Sequence, residues 1–218
     1  MKALKSILTG KVYFFSIIFF FCLGTFYPNF LSVKDIVHKI ETKYIKEAEN
    51  IGLYEPEFIY NSNKEFIEKL ETCINYLNFK LHRYERIPKE LIIAQAVLES
   101  NYGKSRFAIQ GNNLFGIRTW NLDSPHIKPF DTKDQTFGIK VFKTKCSCVS
   151  YYIYILNNNS AFSEFRIQRK KMLDNNRVNV IKLVDYISKF ATDTEYVSKV
   201  KRTILELRKN PKWTIFRT

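Results

Sequence analysis

Apolar and polar positions along the chain change their pattern three times. Residues 12–33 carry no charge and include Phe14-Phe15, Ile17-Ile18 and Phe19-Phe20-Phe21, while Lys2, Lys5 and Lys11 precede them without any acid. A basic lead followed by an apolar run close to the ~20 residues of a spanning helix holds the N-terminus inside and sends the rest outward. Residues 1–33 are therefore expected to be a signal anchor or signal peptide. The anchor is preferred because no small-x-small cleavage pattern follows Phe21, and Cys22 has no lipobox before it. This predicts an N-terminal membrane helix, with residues 12–33 in the inner membrane and the remainder in the periplasm. Residues 34–61 are charged, with some helical period, and read as a stalk. From there Phe66, Ile67, Leu70, Ile74, Leu77 and Leu81 recur on one helical face, predicting a helix over 62–84.

A second helix is expected over 88–102, with Pro88 first, Glu90 in its first turn, Gly103 just past its end, and Leu91, Ala94, Leu98 and Tyr102 facing inward. Residues 111–142 mix Gly, Asn, Pro, Asp and aromatic residues without helical period, predicting loop and a small hairpin that ends in Val141-Phe142. Helices resume over 149–156, 178–190 and 196–209, and residues 210–218 form a tail. The fold class is mainly α: a helical domain over 62–209 with a small β-hairpin lobe.

Composition supports helices, since only 7 Gly and 6 Pro interrupt the chain. The net charge of +14 suits an acidic partner, either anionic lipid or cell-wall polymer. Nucleic acid is disfavoured because the basic residues are dispersed and no nucleic-acid-binding motif appears. Outside the apolar run lie Cys73, Cys146 and Cys148. The last two are too close to pair with each other, so one of them can bond Cys73 in an oxidising compartment while the other stays free. No metal or cofactor is expected, because His38, His82 and His126 are scattered without a ligand pattern.

The segment 87–120 carries the chemistry. Glu99 sits in the last turn of the predicted second helix, where the carbonyl end of the helix disfavours a carboxylate and raises its pKa. A carboxyl group still protonated near neutral pH is what glycosidic cleavage requires of its general acid. Around it the chain reads Ala94-Gln95-Ala96-Val97-Leu98-Glu99-Ser100, then Gly103-Lys104-Ser105, then Asn112-Asn113-Leu114-Phe115-Gly116-Ile117. This resembles the signature of the glucosaminidase family of peptidoglycan hydrolases. A later stretch at Phe142, Val149, Tyr152, Leu156-Asn157, Ala161-Phe162 and Phe165-Arg166 is similar to the Bax-type branch of Gram-negative bacteria. The likeness covers about residues 62–207.

The resemblance implies a lysozyme-like fold, Glu99 as the catalytic acid and peptidoglycan glycan strands as substrate. It implies no cofactor, and the chain is expected to act as a monomer. Tyr196 is the second catalytic candidate: the family's Y-A-T-D-x-x-Y reads Phe190-Ala191-Thr192-Asp193-Thr194-Glu195-Tyr196 here. Substrate-binding candidates are Asn112, Asn113, Phe115, Tyr102, Trp120 and Tyr152, because amides and aromatic rings suit sugar hydroxyls, N-acetyl groups and ring faces. Asp123, Asp131 and Asp134 are candidate helper acids without a clear match, and the substrate's own N-acetyl group could replace a protein nucleophile. The expected reaction is endo-β-N-acetylglucosaminidase cleavage of the β-1,4 bond after N-acetylglucosamine. The alternatives are a lytic transglycosylase cutting after N-acetylmuramic acid, or a membrane-anchored glycan-binding protein without activity.

Overall fold

The computed structural model of the chain describes residues 12–22, 24, 39, 43, 54–129 and 136–209. Contacts divide the chain into a unit ending at Tyr54 and a compact unit starting at Glu55. In the first, residues 12–22 are helical and mostly exposed. Among the described residues no helix is long and apolar enough to cross a membrane. The membrane helix expected over 12–33 and the stalk lie partly outside the described residues, and the tail over 210–218 wholly outside them.

The compact unit starts earlier than the boundary expected at residue 62. Residues 55–60 belong to no helix or strand, and Phe58 and Tyr60 pack on the core. The Tyr60 and Phe66 rings meet edge to face with centroids 5.1 Å apart. Helix α1 follows over Asn63–Lys80, opened by Ser62, whose hydroxyl accepts from the Glu65 amide. Its buried face is Phe66, Ile67, Leu70, Cys73 and Ile74, the stripe that the apolar spacing predicts. The helix stops short of residue 84 because Leu81 turns extended and His82 caps a separate 3₁₀ turn over Arg83–Glu85.

Helix α2, Lys89–Ser100, is the central element. The expected inward stripe is too narrow, since every residue from Leu91 to Val97 is buried. The cause is that α1 packs on one side of α2 while a later helix, α7 (Tyr196–Lys209), packs on another. Burying side chains such as Leu91, Ile92 and Ile93 contributes about 1.5–3 kcal/mol each, so α2 is firmly anchored.

A six-residue helix α3, Arg106–Gly111, comes next. It leads into a small sheet of β1 (Arg118–Thr119), β2 (His126–Ile127) and β3 (Gly138–Lys140). The hairpin expected here is instead three strands in the order β1-β3-β2. Both outer strands run antiparallel to β3, with Arg118 opposite Ile139 and His126 opposite Lys140. Val141 and Phe142 fall just beyond the strand. Their amides instead donate to the carbonyls of Pro125 and Gly111, which joins the lobe to α3.

Helix α4, Lys145–Asn158, starts ahead of the expected residue 149 because Thr144 caps it reciprocally with Ser147. Helix α5, Ser163–Asp174, escapes the periodicity reading because its sequence SEFRIQRKKMLD is largely polar and buries only Phe165 and Arg169. The helix expected over 178–190 is a single turn, α6 (Val180–Leu183), continuing as 3₁₀ through Phe190. Of the two pairings left open for Cys73, the structure has Cys73–Cys146, tying α1 to the start of α4. Cys148 is a buried free thiol whose pKa burial pushes up to about 12.

Candidate active site

The end of α2 is built to present Glu99. Asn101 closes the helix in the left-handed region, and Tyr102 and Gly103 follow with φ of 56° and 73°. Three such residues in succession reverse the chain within one turn. Ser100 fixes the reversal: its hydroxyl donates to the Ala96 carbonyl at 2.5 Å and accepts from the Gly103 amide at 2.8 Å. The Tyr60 hydroxyl donates to the Gly103 carbonyl at 2.8 Å. A Cβ at Gly103 would overlap that hydroxyl, so glycine is required there twice over, by space and by φ. Ser105 then caps α3. The serines and glycine that follow Glu99 in the signature are thus the parts of a turn.

Asn113 builds the facing segment. Its side-chain amide donates to the carbonyls of Ile117 (2.9 Å) and Lys140 (2.8 Å). Its oxygen accepts from the amides of Phe115 (3.3 Å) and Ile117 (3.0 Å). This folds residues 113–117 tightly and pins them to β3. Gly116, at φ 62°, carries that loop past the acid, where a Cβ would lie 3.8 Å from Glu99 Oε2.

Glu99 opens into a cleft of about 830 Å³. The lobe contributes Phe115, Gly116, Ile117, Arg118 and Trp120; α4 contributes Tyr151 and Ile155; and residues 188–194 line it before α7. Burial raises the Glu99 pKa, opposed by a hydrogen bond from the Tyr196 hydroxyl. The upward direction matches the expectation, but its cause is loss of water and not the helix end.

Behind Glu99 runs a chain of hydrogen bonds. The Tyr152 hydroxyl donates to Gln95 Oε1, and Gln95 Nε2 donates to the Tyr196 oxygen at 2.7 Å. Tyr196 then bonds Glu99. Gln95 and Tyr152 are wholly buried and Tyr196 nearly so. Burial first, and the nearby Glu99 charge second, raise both tyrosine pKa values, so both stay phenols. An amide has a fixed donor end and a fixed acceptor end. With its donor end on Tyr196, Gln95 leaves that hydroxyl only one useful direction for its proton, toward Glu99. Phe190 stacks on Tyr196, centroids 6.0 Å apart, and Phe115 stacks on Tyr152 at 4.1 Å.

Of the residues proposed from sequence, the structure brings Glu99, Tyr196, Phe115 and Trp120 together. Trp120 is exposed on the cleft, where a ring face is free for a sugar. Asn112 caps α3 and spends its side chain on the carbonyls of Phe142 and Lys143 and on Lys145 Nζ. Asn113 is consumed as described, and Tyr152 is buried behind Glu99. Tyr102 lines a separate pocket with Thr203 and Glu206. These four therefore do not line the cleft. Asp123 is exposed outside it, and Asp131 and Asp134 lie outside the described residues.

Sequence reasoning passed over two residues. Gln95 was detectable as a lone amide within the apolar run 91–97, one turn before Glu99. Asp193 lines the cleft as its second carboxylate. Lys199 Nζ sits 2.6 Å from its Oδ2, and the Glu195 amide donates to its Oδ1. Those bonds, Lys199 first, hold its pKa below the ordinary value, so it stays ionised. Among the described residues no group of three or more His, Cys, Asp or Glu is arranged to hold a metal ion.

A helical body, a small antiparallel sheet and a half-buried glutamate at a helix end in the cleft are consistent with a lysozyme-like fold. Residues 76–209 match the model of the glucosaminidase family, described as mannosyl-glycoprotein endo-beta-N-acetylglucosaminidase. The chain belongs to that family. It is 30% identical over 95 residues to the protein bax of Escherichia coli K12, a match covering 44% of this chain and 33% of that protein. The chain therefore matches about a third of the length of this curated relative. In fold it is similar to the catalytic domain of the autolysin Auto from Listeria monocytogenes, with a TM-score of 0.50, 21% identity, and coverage of 74% of this chain and 93% of that domain.

Proposed function

We propose that the domain cuts peptidoglycan as an endo-β-N-acetylglucosaminidase, with Glu99 as general acid. The observation that carries this reading is the pairing of a half-buried carboxyl in an 830 Å³ cleft with a tyrosine whose proton is directed at it. Protonated Glu99 donates to the glycosidic oxygen as the β-1,4 C–O bond breaks. The positive charge that develops on the sugar is met by the substrate's own N-acetyl oxygen or by water, and water completes the hydrolysis. The carboxylate left behind is stabilised by the Tyr196 hydroxyl until it recovers a proton. Trp120, exposed on the cleft, offers a ring face to the sugars.

The proposed setting is the periplasm, with residues 12–33 as the membrane anchor. The Cys73–Cys146 disulfide supports an oxidising compartment. The test is Glu99→Gln in the purified chain. It keeps shape and fold but delivers no proton, so release of new reducing ends from sacculi should fall by at least about 10²–10⁴-fold. Wild-type rates from this variant would refute the assignment. Mass spectrometry of the products distinguishes reducing N-acetylglucosamine ends from the anhydro-muramic ends of a transglycosylase.

A further inference from the structure

At the other end of α2, nine residues and about 13 Å from Glu99 along the axis, lies a separate pocket of about 710 Å³. Five cations line it, Arg83, Arg86, Lys89, Arg169 and Arg208, against the single carboxylate of Glu90. It shares no lining residue with the catalytic cleft. Two of the cations already have acids. Lys89 Nζ sits 2.7 Å from Glu71, and Arg208 forks onto Glu90. The bonds of the others run to neutral oxygens: Arg83 to Leu173 and Asn176, Arg86 to Leu81, and Arg169 to Asn157 at 2.6 Å.

Arg169 is the informative member. It is only 4% exposed, and its Nε and Nη1 have no hydrogen-bond partner. A buried guanidinium with two unsatisfied donors is costly. Arg166 adds like charge beside it, and the one opposing charge acting on it is that of Glu85. An independent feature points into the same space. Pro88 precedes the twelve-residue α2 without a side-chain cap, and the acid of its first turn, Glu90, is engaged by Arg208, so the positive end of that helix adds to the cationic lining.

We infer that this pocket is a binding site for a phosphate-type oxyanion. A tetrahedral group fits better than a carboxylate because the lining cations come from separate elements: the 3₁₀ turn, the start of α2, α5 and the end of α7. A planar carboxylate meets one fork, whereas a phosphate offers oxygens in all those directions. The group can come from a phospholipid headgroup or from a soluble phosphate, and the pocket chemistry is common to both.

The test is calorimetric titration of the full chain with inorganic phosphate at fixed ionic strength. Saturable binding at one site is expected, weakened about tenfold or more in Arg86→Ala and in Arg169→Gln, and unchanged in Lys104→Ala, an exposed cation outside the pocket. Arg86 is exposed, so its variant remains informative if Arg169→Gln fails to fold. No saturable binding, or equal weakening by Lys104→Ala, would overturn the inference and leave water as the partner of Arg169. Sedimentation with phosphatidylglycerol vesicles against phosphatidylcholine vesicles then separates the sources. Capture on phosphatidylglycerol in excess of that on phosphatidylcholine, an excess that Arg86→Ala abolishes and free phosphate competes away, assigns the site to a headgroup. Phosphate binding without such capture assigns it to a soluble ligand. None of these residues belongs to the cleft, so peptidoglycan cleavage should persist in every variant.

Discussion

Replacing Gln95 with leucine tests whether the buried chain of hydrogen bonds positions the acid. Leucine matches glutamine closely in size, so the change removes polarity and leaves volume nearly intact. Two bonds vanish, from Tyr152 to Gln95 and from Gln95 to Tyr196. The wholly buried Tyr152 hydroxyl is then a donor with no acceptor, at a cost of about 1–3 kcal/mol. Tyr196 loses the bond that fixed its rotation but can still reach Glu99. Taking about 2 kcal/mol as the net effect, Tm should fall by roughly 4–8 °C for a domain of this size. Adding Tyr152→Phe removes the orphaned donor, so the double variant should recover about half of the loss or more. Calorimetric melts of the four proteins measure that coupling. Kinetics on soluble glycan fragments should show a lower kcat with little change in KM, because Gln95 does not reach the cleft. Strictly additive stability losses, together with an unchanged kcat, would refute the positioning role.

Two further outcomes follow from buried groups. Above the ordinary carboxyl pKa of 4.5 the unfolded chain releases the Glu99 proton while the folded chain, with its raised pKa, retains it. Stability of the wild type therefore falls as pH rises from 4.5 to the folded value and is level beyond it. Glu99→Gln lacks this loss, so its Tm relative to wild type should climb across that window, and a pH-independent difference would contradict the raised pKa. Removing the disulfide as Cys73→Ala with Cys146→Ala opens a loop spanning 73 residues, which chain entropy values at about 4 kcal/mol. Denaturant melts should register most of it, and an unaltered midpoint would show that packing alone holds α1 to α4.

Legibility of the fold from sequence followed the strength of its periodic signal. Helix α1 carries a strong apolar stripe and was readable almost to its ends. Helix α5 was invisible because it packs through Phe165 and Arg169 while the rest of SEFRIQRKKMLD faces solvent. The sheet was blurred since strands of two or three residues hold too few side chains to alternate. In the site, Glu99 stood out through the signature around it together with its place in the last turn of α2. The four residues that do not line the cleft were misplaced for one common reason: amides and tyrosines suit a sugar and suit a buried backbone equally well. Only the folded chain shows that Asn113 spends its amide inside a turn and that Tyr152 faces Gln95.

The left-handed run at Asn101, Tyr102 and Gly103 also bears on how such domains diversify. It locks the acid's helix to the body of the protein, with Ser100 and Tyr60 as bolts, so an insertion there would displace the acid itself. The rest of the groove is drawn by the segments around Trp120 and by residues 188–194, neither of which holds the acid in place. Those segments can lengthen, shorten or change side chains without moving Glu99, so the shape of the groove can be altered while its carboxyl group keeps its place.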